Sequence, residues 1–288
     1  MKSAFVMLAG RSNVGKSTLL NALVGTKVSI VTPKAQTTRL PVRGIVHGPQ
    51  GQLVFVDTPG LFLGKKDKVS QKLNQFVEET LDGVDIVLYV MDPSREIGYE
   101  ELQIQNLLRV SPAPIIAVIN KMDLKAAERP FLKDYQTVDV GQQTTFELSA
   151  KDRKNLNRLT DTLFAMAQDG DAHYPDLQLT DMGHNQWLEE LVREKVFLAL
   201  EDELPYSIKV ALDELAVRED GSRYLQMTVW TTEERYKGMV IGAKGQMLKK
   251  IGQAAREEIE AVTGMKCFLD LHVDVDAKWQ ERFGSEML

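Results

Sequence analysis

The most constraining feature of the chain is the stretch GRSNVGKSTLLNALVG, Gly10–Gly25. It fits G-x-x-x-x-G-K-[ST], in which two glycines permit a tight loop whose backbone N–H groups turn inward on phosphate oxygens. Such a loop works between a strand and a helix. Here the apolar run Ala4–Ala9 precedes it, and a helical pattern starts at Lys16 and stops at Gly25. Four later runs, QLVFVDTPG, VDIVLYVMD, APIIAVINKMD and TTFELSAK, also end in polar turns, with helical patterns such as VSQKLNQFVEETLDG between them. Strands alternating with helices predict an α/β fold, a mostly parallel sheet with helices on both faces. Ligands of such sheets sit at the C-terminal strand ends, where all of these polar motifs fall.

The residues at those ends suit a nucleotide. Gly10, Arg11, Ser12, Asn13, Val14, Gly15, Lys16, Ser17 and Thr18 form the expected phosphate cradle. Lys16 adds a point charge on the β- and γ-phosphates, and the Ser17 hydroxyl is a hard ligand suited to Mg²⁺. Asp57, Thr58, Pro59 and Gly60 follow the next clear strand. The Asp57 carboxylate can hold Mg²⁺ through water, and Gly60 lets its N–H approach a γ-phosphate. Asn120, Lys121, Met122 and Asp123 select the base. Asp123 can accept from two N–H groups of guanine, whereas adenine would leave a buried carboxylate unpaired. Lys121 can lie over the ring, Asn120 can brace the loops, and Ser149, Ala150 and Lys151 offer the Ala150 N–H to the guanine oxygen. In this order the motifs resemble the translation-factor-like branch of the P-loop GTPases. That resemblance makes TPKAQTTR the threonine loop and Thr38 a second Mg²⁺ ligand, and it puts Lys16, Thr38, Asp57 and Gly60 at the reacting phosphate. Leu61 stands where many GTPases carry a water-orienting glutamine, so intrinsic hydrolysis is expected to be slow, on the order of 10⁻⁴–10⁻² s⁻¹. Asn13 could help a monovalent cation such as K⁺ reach the phosphates, as in relatives with that asparagine.

These motifs are used up by Lys151 in a chain of 288 residues. The first domain is expected to span 1–170, a polar linker 171–183 and a second domain 184–288. NQWLEELVREKVFLALEDELP reads as a helix with Trp187, Leu188, Leu191, Val192, Val196 and Ala199 on its core face, ended by Pro205. YSIKVALDEL and RYLQMTVWTTEE are alternating strands around EDGS, YKGMVIGAKGQMLKKIGQAAREEIEAVTG is two helices around a G-x-x-G turn, and CFLDLHVDV is a last strand. This α-β-β-α-α-β order and the turn resemble a KH domain, a clamp for about four nucleotides of single-stranded RNA. The expected RNA contacts are Ile241, Gly242, Ala243, Lys244, Gly245, Lys249 and Lys250. From Arg235 to Arg256 there are six basic residues and no acidic one, in a chain of net charge −6. A basic footprint in an acidic chain is the sign expected for local RNA binding.

Composition excludes several other classes. The single cysteine, Cys267, rules out an internal disulfide framework and suits a reducing compartment. His47, His173, His184 and His272 lack metal-ligand spacing. No apolar run reaches the ~18 residues of a spanning helix, and MKSAFVMLAG is too short to be a signal peptide before it enters the loop. A cytosolic protein is expected.

Taken together, GRSNVGKSTLLNALVG, KAQTTR, FVDTPG, NKMD, LSAK, ELPYSIKV and VIGAKGQMLKKIGQAAREEIE resemble the bacterial Era family along essentially the whole chain. The resemblance implies a GTPase domain followed by a type II KH domain, and GTP or GDP with Mg²⁺ as ligands. It further implies binding to the 3′ end of small-subunit ribosomal RNA, a role in 30S assembly, and loose peripheral association with the inner membrane. A monomer with no DNA partner completes the expectation. Phe62 departs from a frequent histidine, LFLGKKDKVSQ differs from the usual lysine- and proline-rich segment, and the turn is GAKG where GKGG is commoner. The competing reading is a regulatory GTPase whose second domain binds a protein or a membrane. A pure RNA scaffold with a vestigial nucleotide site is disfavoured by the intact Lys16, Ser17, Asp57 and Asp123. A tandem-GTPase factor is disfavoured by the single phosphate loop.

Overall fold

A computed structural model of the chain describes residues 1–34, 37–39, 41–58, 80–81, 83–202, 204–280 and 282. It divides into two compact units, Met1–Val31 with Ala35–Asp181, and Thr32–Lys34 with Met182–Leu288.

In the first unit β1 (Lys2–Ala9) leads through the phosphate loop into α1 (Lys16–Val24). A hairpin of β2 (Val42–Gly48) and β3 (Gly51–Asp57) follows, then β4 (Ile86–Met91), α2 (Tyr99–Arg109) and β5 (Ile115–Ile119). The unit closes with α3 (Leu132–Gln136), β6 (Thr144–Glu147), α4 (Leu156–Met166) and β7 (Gln168–Asp169). The sheet runs β2-β3-β1-β4-β5-β6, with β7 on the start of β1. β2 and β7 are antiparallel to their partners, and the other pairings are parallel. Residues of β3, β4 and β5 are buried throughout, as parallel strands covered on both faces must be.

Register positions the motifs. Leu8 pairs with Asp57, Ala9 with Tyr89, Met91 with Ile119 and Ile119 with Glu147. The residues that follow these strands therefore emerge side by side along one edge. β1 begins two residues before its apolar run because the ladder with β3 already starts at Lys2–Gly51. The apolar pattern does not reveal β2, whose run Val42–Gly48 is broken by Arg43 and His47. Its outer edge is covered by the polar stretch after β7. Ile45 N–H donates to Leu179 O at 2.9 Å, and Arg43 pairs with Asp181 at 2.7 Å. The buried Gln52 accepts from the N–H groups of His173 and Tyr174. Covering an edge strand in this way removes a template for unwanted pairing. Of the helix expected at 69–83, all but Thr80, Leu81 and Gly83 lies outside the described residues, as do Phe62 and all of the segment LFLGKKDKVSQ that contains it.

The second unit contains α5 (His184–Ala199), β8 (Ile208–Val217), β9 (Arg223–Thr231), α6 (Glu234–Ile241), α7 (Gln246–Thr263) and β10 (Cys267–Val275). Its sheet is β10-β9-β8, antiparallel between β8 and β9 and parallel between β9 and β10. Leu188, Leu191, Val192, Val196 and Phe197 of α5 share a core with Ile251, Ala255 and Ile259 of α7. Those spacings of three and four residues are one helical face each. Trp187 packs against the same core. α5 stops at Ala199, and Pro205 lies beyond it in a short 3₁₀ turn, Leu204–Ser207. Among the described residues no helix is long and apolar enough to cross a membrane.

Candidate nucleotide site and nucleic-acid groove

Four segments converge at the phosphate end. Ser17, the second residue of α1, donates to Asp57 Oδ2 at 2.6 Å. Ser29 Oγ donates to the same oxygen at 3.0 Å, and Thr38 Oγ1 lies 3.5 Å from it and 3.2 Å from Ser17 Oγ. Asp57 Oδ1 is buried and has no hydrogen-bond partner among the described residues. A cluster of hydroxyl and carboxylate oxygens is a hard-cation donor set, and it fits Mg²⁺ better than a softer ion. Lys16 Nζ donates to the Gly10 and Arg11 carbonyls at 2.8 and 3.0 Å. Burial lowers the Lys16 ammonium below its usual range, offset in part by Asp57 and Glu101. Burial also raises the Asp57 carboxyl, offset in part by Lys16 and the three hydroxyls. Ser29 has no motif signal, since only the folded chain carries it to Asp57. Thr58 donates its hydroxyl to Leu8 O and so braces the end of β3. Pro59, Gly60 and Leu61 lie outside the described residues.

At the base end Asn120 is the tie. Its amide donates to Val14 O at 2.9 Å, and its Oδ1 accepts from Ala150 N–H at 3.0 Å. One side chain thus joins the phosphate loop to the loop after β6. The fit is close: a Cβ on Gly15 would sit 2.4 Å from Asn120 Nδ2, and Gly15 has φ of +100°. Ser149 Oγ donates to Asp123 Oδ1 at 2.7 Å, which orients the carboxylate. Met122 N–H donates to Leu148 O. Lys121 has φ of 60° and pairs with Asp92 at 2.6 Å. Asp92, just past β4, carries no motif. Burial would raise its carboxyl, but hydrogen bonds from Lys121 and Ser94 outweigh this and hold it below the usual carboxylate range. Arg11 departs from a simple cradle residue, because its guanidinium is buried against Glu101. Ser12, Asn13 and Thr18 lie in the loop and the first turn of α1, with Asn13 at φ of 62°.

In the second unit the G-x-x-G turn joins α6 to α7. Gly242 has φ of 71°, and a Cβ there would fall 2.6 Å from the Met247 Cβ. Ala243, Lys244 and Gly245 make one 3₁₀ turn, with Lys244 itself at φ of 51°. Beside the turn runs a groove of about 600 Å³ lined by Gly245, Leu248, Lys249, Gly252, Gln253, Arg256, Phe268, Leu269 and Leu271. Of the expected RNA contacts, Gly245 and Lys249 line it, Lys244 and Lys250 are exposed nearby, and Ile241 packs on the core. The floor from α7 and β10 carries no sequence motif, although 245, 249, 252 and 256 already follow a helical stripe. Arg235 and Lys237 are paired with Glu233 and Asp274, so the basic footprint concentrates on Lys244, Lys249, Lys250 and Arg256.

Fold and site together define a P-loop GTPase that carries a KH domain. Residues 5–121 match the 50S ribosome-binding GTPase family and residues 203–280 the KH domain family. GTPase Era of Heliobacterium modesticaldum is 39% identical over 283 residues, 98% of this chain and 94% of that protein. GTPase Era of Halothermothrix orenii is 36% identical over 288 residues, 98% and 96% of the two. A crystal structure of an Aquifex aeolicus Era variant bound to GDP and AlF4⁻ superposes with a TM-score of 0.90 at 32% identity, covering 100% of this chain and 98% of that one. An Era complex with MgGDPNP and nucleotides 1506–1542 of 16S ribosomal RNA has the same TM-score of 0.90, identity of 32% and coverage of 100% and 98%. The chain belongs to the GTPase Era family.

Proposed function

We propose that this chain is a GTP-operated switch that binds the 3′ end of small-subunit ribosomal RNA and assists 30S assembly. The observation that carries it is the meeting of Ser17, Thr38 and Asp57 within hydrogen-bond distance beside Lys16. The phosphate loop, Gly10–Thr18, cradles the phosphates, and Lys16 places its charge on them. Ser17, Thr38 and Asp57 hold Mg²⁺, which when bound neutralises charge developing on the β- and γ-phosphate oxygens. Gly60 is offered as the backbone N–H that approaches the γ-phosphate, with Thr58, Pro59 and Leu61 as further nucleotide contacts. Asn120, Lys121, Met122 and Asp123, with Ser149, Ala150 and Lys151, hold guanine. An apolar Leu61 cannot orient water, which supports slow intrinsic turnover. Asn13 is offered as the contact for K⁺, and a comparison of rates in potassium and sodium tests it.

On this reading 1–170 is the GTPase domain, 171–183 the linker and 184–288 the KH domain. RNA lies along the groove at Gly242–Gly245, with Lys249 and Lys250 on its phosphates. The protein works as a monomer in the cytoplasm, where 30S particles are built, and its inner-membrane contact is peripheral. The test is binding of the full chain to an RNA bearing the small-subunit 3′ tail, with GDP or a non-hydrolysable GTP analogue, and with Gly245→Asp. Tight binding favoured by the analogue and lost in the variant is the expected result. No binding in any nucleotide state would turn the reading to a protein- or membrane-directed GTPase.

A further inference from the structure

The loop between β4 and α2 carries none of the GTPase motifs, yet it grips two of them. Asp92 is fully buried and accepts from Lys121 Nζ at 2.6 Å through one oxygen. Its other oxygen accepts from Ser94 N–H at 3.0 Å and Ser94 Oγ at 2.6 Å, which fixes the carboxylate. Three residues on, the contacts go to the phosphate loop and run both ways. Arg95 donates to Ser12 O at 2.9 Å, and Arg11 donates to Glu96 O at 3.0 Å. The Arg11 guanidinium then pairs with Glu101 of α2, Nε to Oε2 at 2.9 Å. Glu101 has no solvent exposure and also accepts from the hydroxyls of Tyr89 and Tyr135.

A buried ion pair is a poor way to gain stability, because desolvation cancels most of the attraction. It is a good way to hold one geometry, since either charge left alone would be costly. The Arg11 side chain is anchored at its far end, and its carbonyl is one of the two that hold Lys16. The same loop fixes Lys121 on the base side. We infer that Asp92–Glu101 is a positioning element of the nucleotide site, acting through Arg11 on the phosphate loop and through Lys121 on the base loop. The inference rests on the nucleotide reading of that site.

The two halves can be separated by ligand. GDP uses the phosphate loop fully, whereas GMP lacks the β-phosphate. Displacement of a fluorescent GDP by GDP and by GMP is measured for full-length wild type, Glu101→Gln, Arg95→Ala and Asp92→Asn. Glu101→Gln is expected to weaken GDP about tenfold and GMP by under about twofold, and Arg95→Ala to weaken GDP alone about threefold. Asp92→Asn is expected to weaken both ligands by a similar factor. A general packing defect would lower GDP and GMP together in Glu101→Gln, and that result overturns the inference. Wild-type affinity for both ligands in Arg95→Ala and Asp92→Asn overturns it as well, and these two variants decide the matter if Glu101→Gln does not fold. Failure of the wild type itself to bind GDP would sink the nucleotide reading instead.

Discussion

At the residue scale the nucleotide site turns on contacts too close to change. Gly15→Ala would drive a methyl into Asn120 Nδ2 and force an L-residue to φ of +100°. That should break the tie from Asn120 to Val14 and Ala150 and weaken GDP about tenfold to a hundredfold, read by equilibrium binding with far-UV dichroism unchanged. Asp92 sets a pH dependence. Its native pKa lies below the ordinary value, so on acidification the unfolded chain takes up this proton first. The contribution is fully present above about pH 5 and is lost as pH falls below about 4, through the lowered native value. Denaturation midpoints of wild type and Asp92→Asn should therefore differ at pH 6 and converge toward pH 3. A gap that stays constant over that range would remove Asp92 from the account.

At the scale of elements, legibility follows how local the cause is. The strands β1, β3 and β5 are apolar runs ending at motifs, β4 is an apolar run ending at a polar turn, and the short β6 is marked by the motif that follows it. β2 has no such mark, because it is an edge strand made by pairing with β3 and covered by the stretch around Leu179. In the second unit the α6–α7 turn depends on Gly242. Gly242→Ala meets the Met247 Cβ at a left-handed φ and should abolish RNA binding while leaving GDP affinity within about twofold. Equal loss of both activities would point to global unfolding instead. Phe197 on α5 is wholly buried. Phe197→Ala should cost about 3–5 kcal/mol in the stability of this unit, measured by denaturant titration.

At the scale of the whole molecule, each unit has its own core, one around Met7, Tyr89 and Ile104 and the other around Leu191, Phe197 and Met227. A ligand that binds only one folded unit stabilises that unit. Saturating GDP at about 100 times its Kd should raise the first unit by about 2.7 kcal/mol, seen as one calorimetric transition moving while the other stays. If both transitions shift equally, the units unfold as one and the two cores are not independent.

The kind of chemistry was written in contiguous residues. A phosphate loop, a guanine motif and a G-x-x-G turn are each short backbone devices, and their conformations depend on near neighbours and on glycine. What the tertiary structure alone decided is which atoms meet. Ser29 and Thr38 reach Asp57, Asp92 reaches Lys121, and Glu101 reaches Arg11 across 90 positions of sequence. The groove floor joins α7 to β10 in the same way. Such meetings arise from strand register and buried packing, sums of many weak contacts distant in sequence, and no local pattern of residues encodes them.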